Sequence, residues 1–299
     1  MIPDDPNPPD PATPPGCLHV GVTPWRPAGD DPLRDLLGQA RLAESLGFDG
    51  FFLPESHLHA GARPSPLVAL AALAGATERI RLATTSLLLP LRHPLLLAEE
   101  IATLDRLCGG RLILGLGRGF RPGTFDAFGV DPRRKRERFE EVLATLLRAW
   151  GLEPWWRDPP PPPPQGVPAV EPRPLQQPHP PLWMAAFGPK AIDQAARIGL
   201  PYFASPMEPL EVVKANFERY RAALEQPAGA AHEPAVIPAM RTSEASVDPA
   251  AAVDQLRRDA RRLGLTHLVV RVSTASEVSR ADDAIRALAA RLPELRAVS

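Results

Sequence analysis

Three short stretches hold the side chains best suited to chemistry. The first, Pro54 to His59, sets Glu55, His57 and His59 at every second position, so a carboxylate and two imidazoles share one side of an extended segment. Such a set could ligate a metal or move a proton. A metal site would need further histidine or aspartate ligands at other strand ends, and none is apparent. His179 precedes a strand and His267 begins one, which puts both at the wrong end, so Glu55 and His57 are read as an acid or base pair and no metal is expected. The second stretch, Arg92-His93-Pro94, offers an imidazole that either shapes a turn or meets a ligand. The third, Gly115 to Gly119, reads GLGRG. It is not a nicotinamide-nucleotide fingerprint: Phe120 stands where a third glycine is required, and Arg121, Pro122 and Gly123 delay the helix that must start at once. Its glycines give room for a flat or phosphorylated ligand, with Arg118 as the anion partner. No GxSxG occurs, so a nucleophile elbow is excluded.

These residues need elements to position them. Ile80 to Ser86 and Leu112 to Leu116 are short apolar runs, and the block Leu95 to Leu107 between them has helical period. That is a βαβ unit, with Arg92, His93 and Arg118 just past the carboxyl ends of its strands. Similar strands read at Leu18 to Val22, Phe48 to Leu53, Leu182 to Ala185, Tyr202 to Ala204, Val236 to Met240 and Leu268 to Val272. Helices follow them, most opened by one device, a cap residue ahead of a proline: Asp31-Pro32, Ser65-Pro66, His93-Pro94, Asp131-Pro132, Gly188-Pro189 and Asp248-Pro249. Eight strand–helix units predict a (β/α)8 TIM barrel over residues 17–299, with a doubly wound open sheet as the alternative. Residues 151–181 are too rich in proline for helix, and read as a long surface loop or, alternatively, an SH3-type ligand. The Pro/Asp-rich stretch 1–16 predicts a disordered tail.

Composition narrows the class. With a formal net charge of −1, the chain has no bulk attraction for nucleic acid or membrane, and the basic run Arg133 to Arg138 reads as a solvated helix face rather than a polyanion site. Two distant cysteines and the lack of a basic, apolar leader point to a reducing, cytoplasmic home.

Taken together, PESH after the second strand, TTSLLLPLRHP, AEEIATLDRLCGGRLILGLGRG, FGVDPRRKRERFEE and PHPPLWMAAFGPKA resemble the bacterial luciferase-like family of flavin-dependent oxidoreductases. The likeness is close over Leu18 to Pro206 and looser beyond. It implies a barrel that binds FMN, or in some branches the deazaflavin coenzyme F420, at the carboxyl face. The flavin ring would lie over the third strand, where a non-prolyl cis peptide would map to Thr85 and Ser86, and Trp25 would supply an aromatic wall. Arg118, the amides around Phe187 and Gly188, and Lys190 would hold the phosphate. Glu55, His57 and His93 would be the catalytic candidates. The implied reaction is a monooxygenation of a small organic substrate by reduced FMN and oxygen, and the missing nicotinamide fingerprint suggests a separate flavin reductase as partner. The alternatives are an F420-dependent dehydrogenase or reductase, and a non-catalytic flavin-binding protein or inactive partner subunit.

Three departures bear on that choice. Ser56 stands where the luciferase catalytic subunit has a histidine, and serine is a poor general base near neutral pH. Gly117 stands in place of a reactive cysteine, so no thiol chemistry is expected. Arg241 to Val247 reads as a short turn where relatives carry a longer covering excursion, so the lid is expected to be curtailed. The helix VALAALAGA is apolar nearly all round, which predicts burial on two sides and, by the resemblance, a homodimer.

Overall fold

The protein is described from a computed structural model that covers residues 17–26, 33, 35–156, 158–224, 236–244, 248–273 and 278–297. The expected tail at 1–16 and the cap Asp31-Pro32 lie outside the described residues. In chain order the elements are β1 (His19–Val22), α1 (Leu36–Ser45), β2 (Gly50–Leu53), α2 (Pro66–Ala74), β3 (Arg81–Leu88), α3 (Pro94–Leu107), β4 (Leu112–Gly117), α4 (Pro122–Ala127) and α5 (Lys135–Ala149). There follow β5 (Leu182–Ala185), α6 (Pro189–Ile198), β6 (Tyr202–Phe203), α7 (Leu210–Leu224), β7 (Pro238–Glu244), α8 (Pro249–Leu263), β8 (His267–Ser273), α9 (Val278–Ala290) and α10 (Leu292–Arg296).

All strand pairs are parallel, in the order β6-β5-β4-β3-β2-β1-β8-β7. The seam between β6 and β7 closes through Ala204, whose N–H donates to the Pro238 carbonyl at 3.3 Å and whose carbonyl accepts from Met240 N–H at 2.9 Å. The sheet is therefore a (β/α)8 barrel, and every strand delivers its carboxyl end to one rim. Phe52, Ile113, Trp183, Phe203, Met240 and Val269 fill its interior, while the larger apolar layer lies between strands and helices. The proline device works as a chemical stop and start: Asp131 accepts from Arg133 N–H at 2.9 Å, and Asp248 from Ala251 N–H at 3.0 Å.

Two elements depart from the sequence expectation. Of the turn expected over Arg241 to Val247, Arg241 to Glu244 instead continue β7, paired residue for residue with β8 from Arg241 opposite Val270 to Glu244 opposite Ser273, and residues 245–247 lie outside the described residues. The ladder with β8 overrides the weak strand propensity of these polar residues. A further helix, α4, fills the connection after β4, with Pro122 in its first turn. The proline-rich stretch is a fastened surface loop: Asp105 accepts from Gln176 N–H at 2.8 Å, and His179 is buried against Trp155 with ring centroids 5.5 Å apart.

Candidate functional site

The strongest polar constellation on the carboxyl rim is built around Glu55, directly after β2. Its side chain is fully buried, and one oxygen accepts from the Leu88 amide at 2.7 Å. The other meets the Arg92 guanidinium and, at 2.7 Å, His57 Nε2. With a carboxylate as acceptor, the imidazole hydrogen sits on Nε2, which leaves Nδ1 as the atom able to take a proton. Glu55 thus has both oxygens engaged and holds His57, whose ring packs edge-on against Phe128 at 5.0 Å. Ser56 is used structurally. Its Oγ accepts from Arg63 N–H at 3.1 Å, and its own N–H donates to the Arg63 carbonyl, which closes the loop into α2.

Next along the rim, the Thr85–Ser86 peptide bond is cis. Here the β3–β4 register slips, since Thr85 pairs Gly115 and Leu87 pairs Leu116, so Ser86 is left out of the ladder. Gly115 and Gly117 answer to this geometry. A Cβ at Gly115 would overlap the Thr84 carbonyl, and one at Gly117 would overlap Ser86 Oγ. The room expected to serve a ligand at these two glycines is therefore taken by the third strand itself.

Arg118 follows, half-buried, with one guanidinium nitrogen donating to Gln194 of α6 at 3.0 Å. It lines a cleft of about 660 Å³ together with Arg133, Lys135, Arg136 and Lys190 and with the acids Glu137, Glu140 and Asp158. Glu140 is taken up by Gln194 and Arg197, and Glu137 by Arg134. Burial, and then the neighbouring Arg136, lower the pKa of Arg118; burial, and then Arg118, lower that of Lys135. Crowded like charges of this kind are what a bound anion relieves. Lys135 and Arg136 also occupy the first turn of α5, where the helix dipole disfavours cations. The basic run expected to be a solvated face thus gives three of its cations to the cleft. The signal was its position, at the start of the helix that follows the β4 rim loop. Two residues before Lys190, Gly188, at φ +71°, opens α6 and turns the amide end of that helix to the same rim.

Two expected residues lie elsewhere. Trp25 is 2% exposed, its Nε1 donates to Asp282 at 2.8 Å and its ring packs on Phe51, so it belongs to the core and offers no open face. His93 is exposed and caps α3, Nδ1 accepting from Leu96 N–H at 3.4 Å. Phe187 is 50% exposed and tilts against Phe120 at 6.5 Å. Among the described residues no group of three or more histidine, cysteine or acidic side chains could hold a metal, and no helix is long and apolar enough to cross a membrane.

A parallel barrel with a fixed imidazole and a cationic cleft on one rim defines a class, that of TIM-barrel proteins with a polar, anion-receptive strand-end site. Within it the chain belongs to the luciferase-like monooxygenase family, whose sequence profile matches residues 16–296. It is 37% identical over 131 residues to the 4-hydroxyprotoasukamycin monooxygenase of Streptomyces nodosus subsp. asukaensis, covering 42% of this chain and 35% of that protein. It is 27% identical over 181 residues to the oxygenase component of the flavin-dependent trigonelline monooxygenase of Acinetobacter baylyi, covering 58% and 48%. The chain spans about half the length, or less, of these two relatives. The crystal structure of monooxygenase RslO1 from Streptomyces bottropensis superposes with a TM-score of 0.75 at 25% identity, covering 93% of this chain and 99% of that one.

Proposed function

We propose that the protein is the oxygenase component of a flavin-dependent monooxygenase that takes reduced FMN from a separate reductase and uses oxygen on a small organic substrate. The observation that carries this reading is the cleft lined by the five cations Arg118, Arg133, Lys135, Arg136 and Lys190 and by three acids, of which Glu140 pairs with Arg197 and Glu137 with Arg134. Arg118, Lys190 and the amide end of α6 at Phe187 and Gly188 would hold the phosphate, and the ring would lie over Thr85 and Ser86. The bound flavin would supply the electrons that activate oxygen. His57, held by Glu55, would exchange a proton at Nδ1 with the reacting substrate, and the closed interior beneath would keep water from one side. An FMN-free titration partner tests it directly: photoreduced FMN added anaerobically should bind one per chain, and Arg118→Ala should abolish most of that affinity. No binding of FMN in either redox state would overturn the reading.

A second reading has one observation in its favour. The cleft has more volume and charge than a single phosphate requires, which suits coenzyme F420, whose tail carries a phosphodiester and several carboxylates. The same titration with F420 decides between them, since tight F420 binding without FMN binding assigns a dehydrogenase or reductase. The outer stripe of α2, Val68 and Ala72, and the capping Gly75 beyond it are exposed and almost featureless, which supports a homodimer through this helix, to be measured by sedimentation equilibrium.

A further inference from the structure

The ten phenylalanines of this chain divide sharply by position. Seven are buried, and the three that face solvent, Phe120 (70% exposed), Phe128 (45%) and Phe187 (50%), all stand on loops at the carboxyl rim. Leu58 and Met207, both well exposed, lie on the same rim after β2 and β6. Exposed apolar side chains scattered singly mean little, but aromatic faces gathered at one mouth mark a surface that meets a ligand. Phe128 is held edge-on against His57, and Phe120 and Phe187 lean on each other from neighbouring strand ends, with the Arg121 guanidinium over Phe120 at 5.7 Å. Phe128 therefore flanks the imidazole, while Phe120 pairs with Phe187, whose backbone borders the position assigned to the phosphate.

We infer that Phe120, Phe128 and Phe187 form the substrate wall, and that the substrate is an apolar, ring-bearing molecule larger than a short-chain aldehyde. This rests on the reading of the rim as a redox site. Ring faces at such a wall favour offset or edge contacts with another ring, which an open aliphatic chain cannot supply. The Arg121 guanidinium adds a donor for an oxygen substituent at the edge of that ring.

The test uses the full chain with FMN and the fluorescent probe N-phenyl-1-naphthylamine, displaced by menadione, a bicyclic quinone, or by decanal, an open chain. Saturable probe binding is expected, with menadione displacing it about tenfold better than decanal. Phe120→Leu combined with Phe187→Leu keeps the site apolar but removes the rings, and should weaken probe binding about tenfold. In Phe120→Leu alone, which leaves the phosphate-binding stretch at Phe187 intact, probe binding should fall several-fold while affinity for FMN, read from its own fluorescence, changes less than about twofold. Phe128→Leu, a milder change, should act in the same direction and guards against misfolding of the double variant. Equal displacement by both competitors, or unchanged probe binding in the variants, overturns the proposal. A parallel loss of FMN affinity in Phe120→Leu overturns it too, by assigning that ring to the cofactor. A chain that binds the probe as described but never binds FMN would sink the redox reading alone.

Discussion

Two polar regions share one rim and differ in how complete they are. Around Glu55 the carboxylate is met by Arg92, His57 and the Leu88 amide, so it is satisfied within the chain. In the cleft on the same rim, burial and then Arg136 lower the proton affinity of Arg118, burial and then Arg118 lower that of Lys135, and Glu140 and Glu137 are paired with Arg197 and Arg134. A complete network positions its members, whereas an incomplete one is shaped for something that is not part of the chain. The contrast underlies the two roles proposed above, the fixing of His57 by the first region and the holding of an anion by the second.

Cutting the hub separates the two most forcefully. Glu55→Ala strands a largely buried guanidinium and an unpaired amide, and should lower stability by about 2 to 3 kcal/mol in chemical denaturation. If it lowered FMN affinity and left stability alone, the hub would be a ligand site and the contrast would fail.

Acid titration of stability supplies an internal control of similar size. His179 lies far from the rim, and its burial pushes its pKa from 6.5 down to about 4. Between those values the unfolded chain binds a proton that the folded chain refuses, so stability is full above pH 6.5 and falls with acidification through the native pKa. The loss should approach roughly 3 kcal/mol. His179→Phe should flatten that slope without touching FMN binding, whereas an unchanged slope would move the acid sensitivity to the rim.

Arg118→Ala should do the reverse of Glu55→Ala. Removing one of several crowded cations leaves stability unchanged or slightly higher, while FMN affinity falls by about 2 kcal/mol, roughly thirtyfold, as measured by fluorescence quenching. The wild-type affinity should also weaken with added salt and that of the variant less steeply. A variant that bound FMN normally but unfolded more easily would show that Arg118 completes a structural network of its own.

How far this contrast could be foreseen depends on what kind of interaction makes each part. The strands, the proline-initiated helices and the rim position of Glu55, His57 and Arg118 follow from local pattern, because period, caps and proline act within a few residues. Thr85 and Ser86 were located through resemblance. Helix α4 was hidden because only Pro122 announces so short an element. The extension of β7 was hidden because Arg241 to Glu244 owe their strand to pairing with β8, a contact across the chain. For the same reason Trp25 read as a wall: nothing near it in sequence reveals Asp282, its partner 257 residues away. Gly115 and Gly117 read as ligand space because the occupant, the third strand, lies 31 residues earlier at Thr84 and Ser86.

His93 belongs to neither region, and it gives the smallest and most discriminating test. It stands at the rim as a catalytic residue would, yet its Nδ1 is turned to the Leu96 amide at 3.4 Å, a long bond that satisfies one free donor at the start of α3. As a cap it contributes stability alone. His93→Ala should therefore cost about 0.5 to 1 kcal/mol in denaturation, and His93→Asn, which can cap as well, should restore most of it. FMN affinity should be unmoved in both. A fall in affinity that asparagine fails to rescue would make the imidazole a ligand contact, and would extend the anion-receptive half of the rim from β4 back to the end of β3.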